Sequence, residues 1–374
     1  MEPTIAFNDL SNFEGQIRVC EKFEDLSLYH YRLADENSNP LLKQVRGVVF
    51  NDEGQLIMRG FPYTPEYTHD DPNLSAKIGQ VAKYMIIPSF EGTVLRVFFY
   101  KNKWFVSTHK KLFASESYWA NRDLSFEEQF RQTIDGMLQV PSSPLKTFMQ
   151  QKGQLIFNYE TFFESLDRTK QYMFLINPYG ENRIVSSYGN ILGVLHVGTF
   201  VDNRFTLEEN VGIPSPPLLH FKTVEEVSTY VAGMHPIHAQ GVLLISPDAF
   251  IKVVSKAYSY LYQIRNNCPN MVLRYIELLN NPQELQVFLQ LYSEFAEKFK
   301  DVDKRVAALA KTVHTAYYSR YVKHELAFLP KPKFMFMCKV HNTYLESRVK
   351  TTLQRVQELL TKETPLSIYR MIMC

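Results

Sequence analysis

Cysteine is scarce in this 374-residue chain, and its four copies, Cys20, Cys268, Cys338 and Cys374, stand far apart with no C-x-x-C pair. That spacing argues against a zinc knuckle and suggests no disulfide framework, so a reducing compartment is expected. Long apolar runs are also missing. No stretch approaches the roughly 18 residues of a membrane span, and Met1 to Leu10 is acidic and poor in apolar residues, so neither a membrane partner nor a secretory signal is expected. There is no internal repeat and no low-complexity segment. Net charge is small, a formal +2, but unevenly placed: residues 265–374 hold 17 Lys and Arg against 10 Asp and Glu, leaving 24 against 29 before them. The basic C-terminal part permits polyanion binding, RNA included.

What is present describes a soluble globular protein long enough for two domains, with 45% hydrophobic and 21% charged residues. The 22 Tyr and 27 Phe serve first to fill cores. Strand patterns dominate to about residue 254. Val48 to Phe50 and Leu56 to Phe61 flank the hairpin turn Asn51 to Gly54, and Pro62 to Asn73 reads as a loop. Met85 to Ile87, Thr93 to Tyr100 and Trp104 to Thr108 are expected as one antiparallel set. Strands are also expected over Leu155 to Thr161, Tyr172 to Ile176, Arg183 to Tyr188 and Ile191 to Phe200, and Gly241 to Ile245 with Ala249 to Val254 reads as a last hairpin. Helices are expected over Ser115 to Arg122 and at the capping boxes headed by Ser125 and Thr223. Beyond Ser255 the apolar spacing changes to three and four, so the C-terminal third reads as helical, broken at Pro330 to Pro332 and resuming over Val340 to Leu360.

Four short stretches carry the chemistry. In order they are Arg46-Gly47, the turn Ser89-Phe90-Glu91-Gly92-Thr93, Asn158-Tyr159-Glu160, and Gln240-Gly241-Val242 followed by Ile251-Lys252-Val253-Val254. With Asn182 to Val185 and Tyr258, this set resembles the adenylation domain of the RNA ligase 1-like family of covalent nucleotidyltransferases over residues 41 to 260. The helical tail, with Arg320-Tyr321 and His341 to Leu345, resembles tails on related proteins of large DNA viruses. The resemblance implies an α+β nucleotidyltransferase domain with an ATP-grasp-like antiparallel sheet over residues 1–264 and an all-helical basic domain over 265–374. It also implies ATP and Mg2+ as cofactors, and a cytoplasmic location in an infected cell, in a virus factory or in a virion. By the same resemblance Arg46 touches the nucleotide or a 5′-phosphate, Glu91 and Gly92 belong to the nucleotide turn, Glu160 binds the ribose and Lys252 binds the phosphates.

The departures bear on the chemistry. Ser89 stands where the family has its nucleophilic lysine, Gln240 where it has a metal-binding glutamate, and Val254 where it has the second lysine of a K-x-K pair. An unactivated hydroxyl does not replace an amine that holds AMP as a phosphoramidate. A neutral amide offers less charge to Mg2+, and an apolar Val254 less to a triphosphate. Three readings follow. The first is a catalytically inactive ligase relative retained as a nucleotide-binding, RNA-binding or scaffolding module. The second is an active ATP-dependent RNA ligase using a displaced lysine, Lys252 or Lys110. The third is a structural or interaction component, of a virus particle or transcription assembly, with its pocket filled by side chains such as Phe90 and its contacts to other proteins carried by the helical domain. His235 and His238 lie three apart, with no third metal ligand nearby in sequence.

Overall fold

A computed structural model describes residues 4–186, 193–247 and 249–374. The chain divides into two compact units, Met1–Gln263 and Ile264–Cys374; the first is mixed α+β with largely antiparallel sheets, the second helical.

In the first unit β1 (Ile17–Phe23), β2 (Leu26–Tyr31), β3 (Arg46–Asn51) and β4 (Leu56–Met58) form a four-stranded antiparallel meander. Two further sheets interleave along the chain, drawing on β5 (Glu66–Thr68), β6 (Met85–Ser89), β7 (Thr93–Tyr100), β8 (Lys103–Ser107), β9 (Gln171–Ile176), β10 (Val194–Val201), β11 (Arg204–Thr206), β12 (Gly241–Ile245) and β13 (Phe250–Val254). One runs β11-β10-β9-β7-β8 and the other β5-β13-β12-β6.

The helices of this unit are α1 (Pro40–Gln44), α2 (Leu74–Ile78), α3 (Phe126–Gln139), α4 (Pro144–Gln151), α5 (Tyr159–Glu164) and α6 (Val224–Ala232), with α7 (Lys256–Arg265) running across the division. Strand alternation sends Leu95, Val97, Tyr172 and Phe174 of the five-stranded sheet into a core with Phe130, Ile134, Leu145 and Phe162 of α3 to α5. The opposite residues, among them Phe98, Met173 and Leu175, pack with Leu28, Val49 and Met58 of the meander. Val242, Leu244, Ile251 and Val253 are covered by α2 and α6.

Several expectations are corrected. Met85 to Ile87 does not join the sheet of Thr93 to Thr108: β6 pairs with β12, and the chain changes sheets across Glu91-Gly92. Leu155 to Thr161 is not a strand. Asn158 accepts from the Thr161 amide and the Thr161 hydroxyl bonds back to the Asn158 amide, which starts α5, while Leu155 and Ile156 are 91% and 65% exposed. Arg183 to Ser186, the described part of the next expected strand, is irregular, and Tyr188 lies outside the described residues. Ile191 also lies outside them, and β10 begins at Val194. Ser115 to Arg122 holds only a short 3-10 turn, Ala114–Glu116, and the loop over Pro62 to Asn73 contains β5, parallel to β13. The boxes at Ser125 and Thr223 do cap α3 and α6.

The second unit packs α8 (Met271–Leu278), α9 (Pro282–Leu291), α10 (Ala296–Tyr321), α11 (Lys331–Ser347), α12 (Leu353–Leu360) and α13 (Pro365–Ile372) around Phe288, Phe299, Leu309, Val313 and Met337. Pro330 to Pro332 heads α11, because a proline in the first turn forfeits no intrahelical bond. Val340 to Leu360 is two helices, parted at Arg348, whose φ is +57°.

Candidate functional site

Ser89 ends β6 and pairs in register with Gly241 of β12, while the Gln240 amide donates to the Ser89 carbonyl at 2.8 Å. This ladder sets the Ser89 and Gln240 side chains against each other in a buried position. The Ser89 hydroxyl donates to Gln240 Oε1 (3.2 Å), Gln240 Nε2 donates to the Tyr258 hydroxyl (2.9 Å), and that hydroxyl donates to Glu91 Oε2 (3.2 Å). Glu91 also accepts the backbone N–H groups of Ile184 (2.6 Å), Val185 (2.8 Å) and Ser186 (3.0 Å). Every donor in the chain points the same way, and it ends on a carboxylate only 5% exposed. Burial, and then the charge of Glu91, pushes the Tyr258 hydroxyl above its ordinary range, so it remains a donor. Gly92 follows at the change of sheets, where a Cβ would lie 2.3 Å from the Ile176 carbonyl oxygen.

Chemically the arrangement is closed. Ser89 gives its hydrogen to an amide oxygen, which is no base, so among the described residues its hydrogen-bond partner does not activate the hydroxyl as a nucleophile. Both ends of the Gln240 amide are engaged, and Glu91, the network's carboxylate, already accepts four hydrogen bonds. These residues do not fit a hard cation that requires several free oxygen ligands. Among the described residues no group of three or more His, Cys, Asp and Glu is placed to hold a metal ion, His235 and His238 included.

The other expected site residues lie apart from this network. Lys252 pairs with its register neighbour Glu66 on β5, Nζ to Oε1 2.8 Å, which offsets its charge. Val254 is buried. Glu160 stands on α5 and pairs with Arg131 of α3; with 60% of its side chain exposed, it is a surface carboxylate at a helix start. The strand beside the Ser89 turn is β9, whose Tyr172 to Ile176 run carries no carboxylate. Phe90 packs with Val94 and Leu175 against the meander core.

Arg46 joins a second group. Its guanidinium donates to the Pro62 carbonyl (3.3 Å) and lies near Arg96, which is 2% exposed and donates to the carbonyls of Gly47 and Thr108. Arg96 Nε is buried without a partner. The His30 and His109 rings lie 5.4 Å apart, and Lys110 and Arg18 add to the positive field there. Burial, with Arg46 next, brings Arg96 down to about 9, and burial with Lys110, Arg46 and Arg18 holds His30 down to about 4. Among the described residues none of Arg18, Arg46, Arg96 and Lys110 has a carboxylate partner. Sequence reading missed Arg96, His30 and Glu66; the visible signal for Arg96 was one charge inside the apolar strand V-L-R-V-F-F.

No family model matches the chain. It is similar to the "Immediate-early protein ICP-46 homolog" of Invertebrate iridescent virus 6, 27% identical over 362 residues that cover 89% of this chain and 77% of that one. The protein of the same name in Invertebrate iridescent virus 3 is 27% identical over 354 residues, 90% and 74% of the two chains. "Immediate-early protein ICP-46" of Frog virus 3 (isolate Goorha) is 22% identical over 273 residues, 70% and 66%. Among solved structures, an archaeal ATP-dependent RNA ligase is similar at TM-score 0.39 and 12% identity, covering 97% of this chain and 77% of that one. A putative ATP-dependent DNA ligase from Aquifex aeolicus gives 0.40 and 10%, covering 79% of each. Among the described residues no helix is long and apolar enough to cross a membrane.

Proposed function

We propose that this chain is a viral protein of RNA ligase-like ancestry that does not form a lysyl-nucleotide, and that it acts in the infected cell as an RNA- or nucleotide-binding module. The observation that carries the reading is the closed chain from Ser89 through Gln240 and Tyr258 to Glu91. Three positions where the resemblance implies catalytic groups are occupied by residues that satisfy one another or pack away from solvent. What supports a phosphate-binding role is positive charge without a counter-ion: neither Arg46 nor Lys110 has a carboxylate partner among the described residues, and buried Arg96 adds to the field beside Arg46. Lys252, offset by Glu66, is a weaker candidate for a phosphate than Arg46.

The test is incubation with ATP labelled at the α-phosphate plus magnesium or manganese, followed by denaturing electrophoresis, for the natural chain and for Ser89→Lys. Both are expected to stay unlabelled, since restoring the amine restores neither a metal ligand nor the second lysine. Binding of a 5′-phosphorylated RNA oligonucleotide is expected to fall at least tenfold in Arg46→Gln. Acid-labile label on Lys110 or Lys252 of the natural chain would sink the proposal and establish ligase chemistry through a displaced lysine.

A further inference from the structure

A cavity of about 570 Å³ opens in the first unit at the Met85 end of β6, four residues or roughly 13 Å of strand from Ser89. It belongs to neither group described above. Its walls come from α1 and β3, the loop from Arg59 to Tyr67, β11, and the β12–β13 hairpin. The volume falls within the range of small-molecule sites, roughly 300 to 1,000 Å³.

Two kinds of surface meet there. One is aromatic: Phe205 and Phe250 lie with ring centroids 5.6 Å apart, and Tyr63 and Tyr67 line the same space. The other is cationic. Among the described residues, Lys43, Arg59 and Arg204 line the cavity against one carboxylate, Glu36, which already accepts the Tyr67 hydroxyl at 2.6 Å. Arg59 decides the matter. Its Nη1 donates to the Asn203 carbonyl at 2.6 Å, and its guanidinium stands 5.1 Å from the Phe200 ring centroid, yet among the described residues no carboxylate pairs with it. Burial lowers its pKa. A partly buried, preoriented guanidinium with donors to spare beside aromatic rings suits a bidentate oxyanion attached to a flat apolar body.

The geometry points to a binding site, separate from the Ser89 network and the Arg46 cluster, for a small organic anion: a phosphate or carboxylate on Arg59 with a planar apolar body against Phe205, Phe250 and Tyr63. Neither part suffices alone, because the aromatic walls supply area without orientation and an oxyanion alone leaves most of the cavity unfilled.

Titration calorimetry on the full chain tests this with 1-naphthyl phosphate, 1-naphthoate and neutral 1-naphthol. At least one anion is expected to bind with one-to-one stoichiometry and at least tenfold more tightly than 1-naphthol; which of the two binds better separates a phosphate site from a carboxylate site. Arg59→Gln should weaken the anion at least tenfold, Arg59→Lys should recover only part of that loss because an ammonium lacks the bidentate fork, and Arg46→Gln should leave it unchanged. The proposal is overturned if neither anion binds, if 1-naphthol binds equally well, if Arg59→Gln has no effect, or if Arg46→Gln abolishes binding. The comparison of anion with naphthol on the natural chain stands even if an Arg59 variant fails to fold.

Discussion

A glutamate at position 240 would face the carboxylate of Glu91 across a single tyrosine hydroxyl. Tyr258 has one hydrogen to give and already gives it to Glu91, while accepting from the Gln240 amide. Gln240→Glu removes that amide donor and places a second carboxylate in a buried site. The expected cost is about 2–4 kcal/mol at neutral pH, from an unmet acceptor and like-charge repulsion. The introduced carboxyl would have a folded-state pKa raised above its unfolded value. Its penalty is therefore small below the unfolded pKa, near 4, and grows as pH rises until the folded-state pKa is passed. Urea unfolding of variant and natural chain, compared at pH 5 and pH 8, checks this. A smaller gap at pH 8 than at pH 5 would contradict the assigned hydrogen-bond direction.

At the scale of elements, the change of sheets between β6 and β7 depends on Gly92 more than on any motif side chain. A Cβ there would sit 2.3 Å from the Ile176 carbonyl oxygen and 2.9 Å from a Leu175 methyl, both on β9, a strand that cannot move without parting from β7 and β10. Gly92→Ala is expected to destabilise the chain by about 1–3 kcal/mol, as an overpacked site does, read as a drop in the urea midpoint with little change in slope. Local chemistry made other elements legible in the sequence: the caps at Ser125 and Thr223 and the turn at Asn51 act within four residues, and the three-four spacing after Ser255 reports burial directly. The failures were nonlocal. β5 has three residues and exists because β13 offers it a parallel edge. Leu155 and Ile156 read as strand because they are apolar, but the Asn158 cap decided the backbone. For the site, the sequence brought Ser89, Glu91, Gln240 and Tyr258 into one list, and they are one network. Glu160 was included for its type and order alone, and the Glu66 partner that offsets Lys252 was invisible until strands met.

For the whole molecule, acid is the expected weakness. His30 and His196 are buried and held down to about 4, in both cases chiefly by burial, and His109 lies beside the Arg46 cluster. A histidine depressed in the folded state contributes stability that is present above its unfolded pKa, near 6.5, and lost as pH falls toward its folded value. His30 and His196 should each cost about 2 kcal/mol by pH 5, so the thermal midpoint should fall steadily from pH 7 to pH 5. His196→Asn should flatten that fall, and an unchanged pH slope in this variant would remove His196 from the account.

Ile184, Val185 and Ser186 belong to neither helix nor ladder, yet their three amides end on the two oxygens of one buried side chain. Expressed as time, that anchorage gives an irregular stretch the persistence of a core strand. Its amide hydrogens become free to trade with solvent when Glu91 withdraws, and Glu91 withdraws when the packing around it opens. Shape and lifetime are thus uncoupled here: a segment drawn as loop keeps its hydrogens on the clock of the sheets beside it.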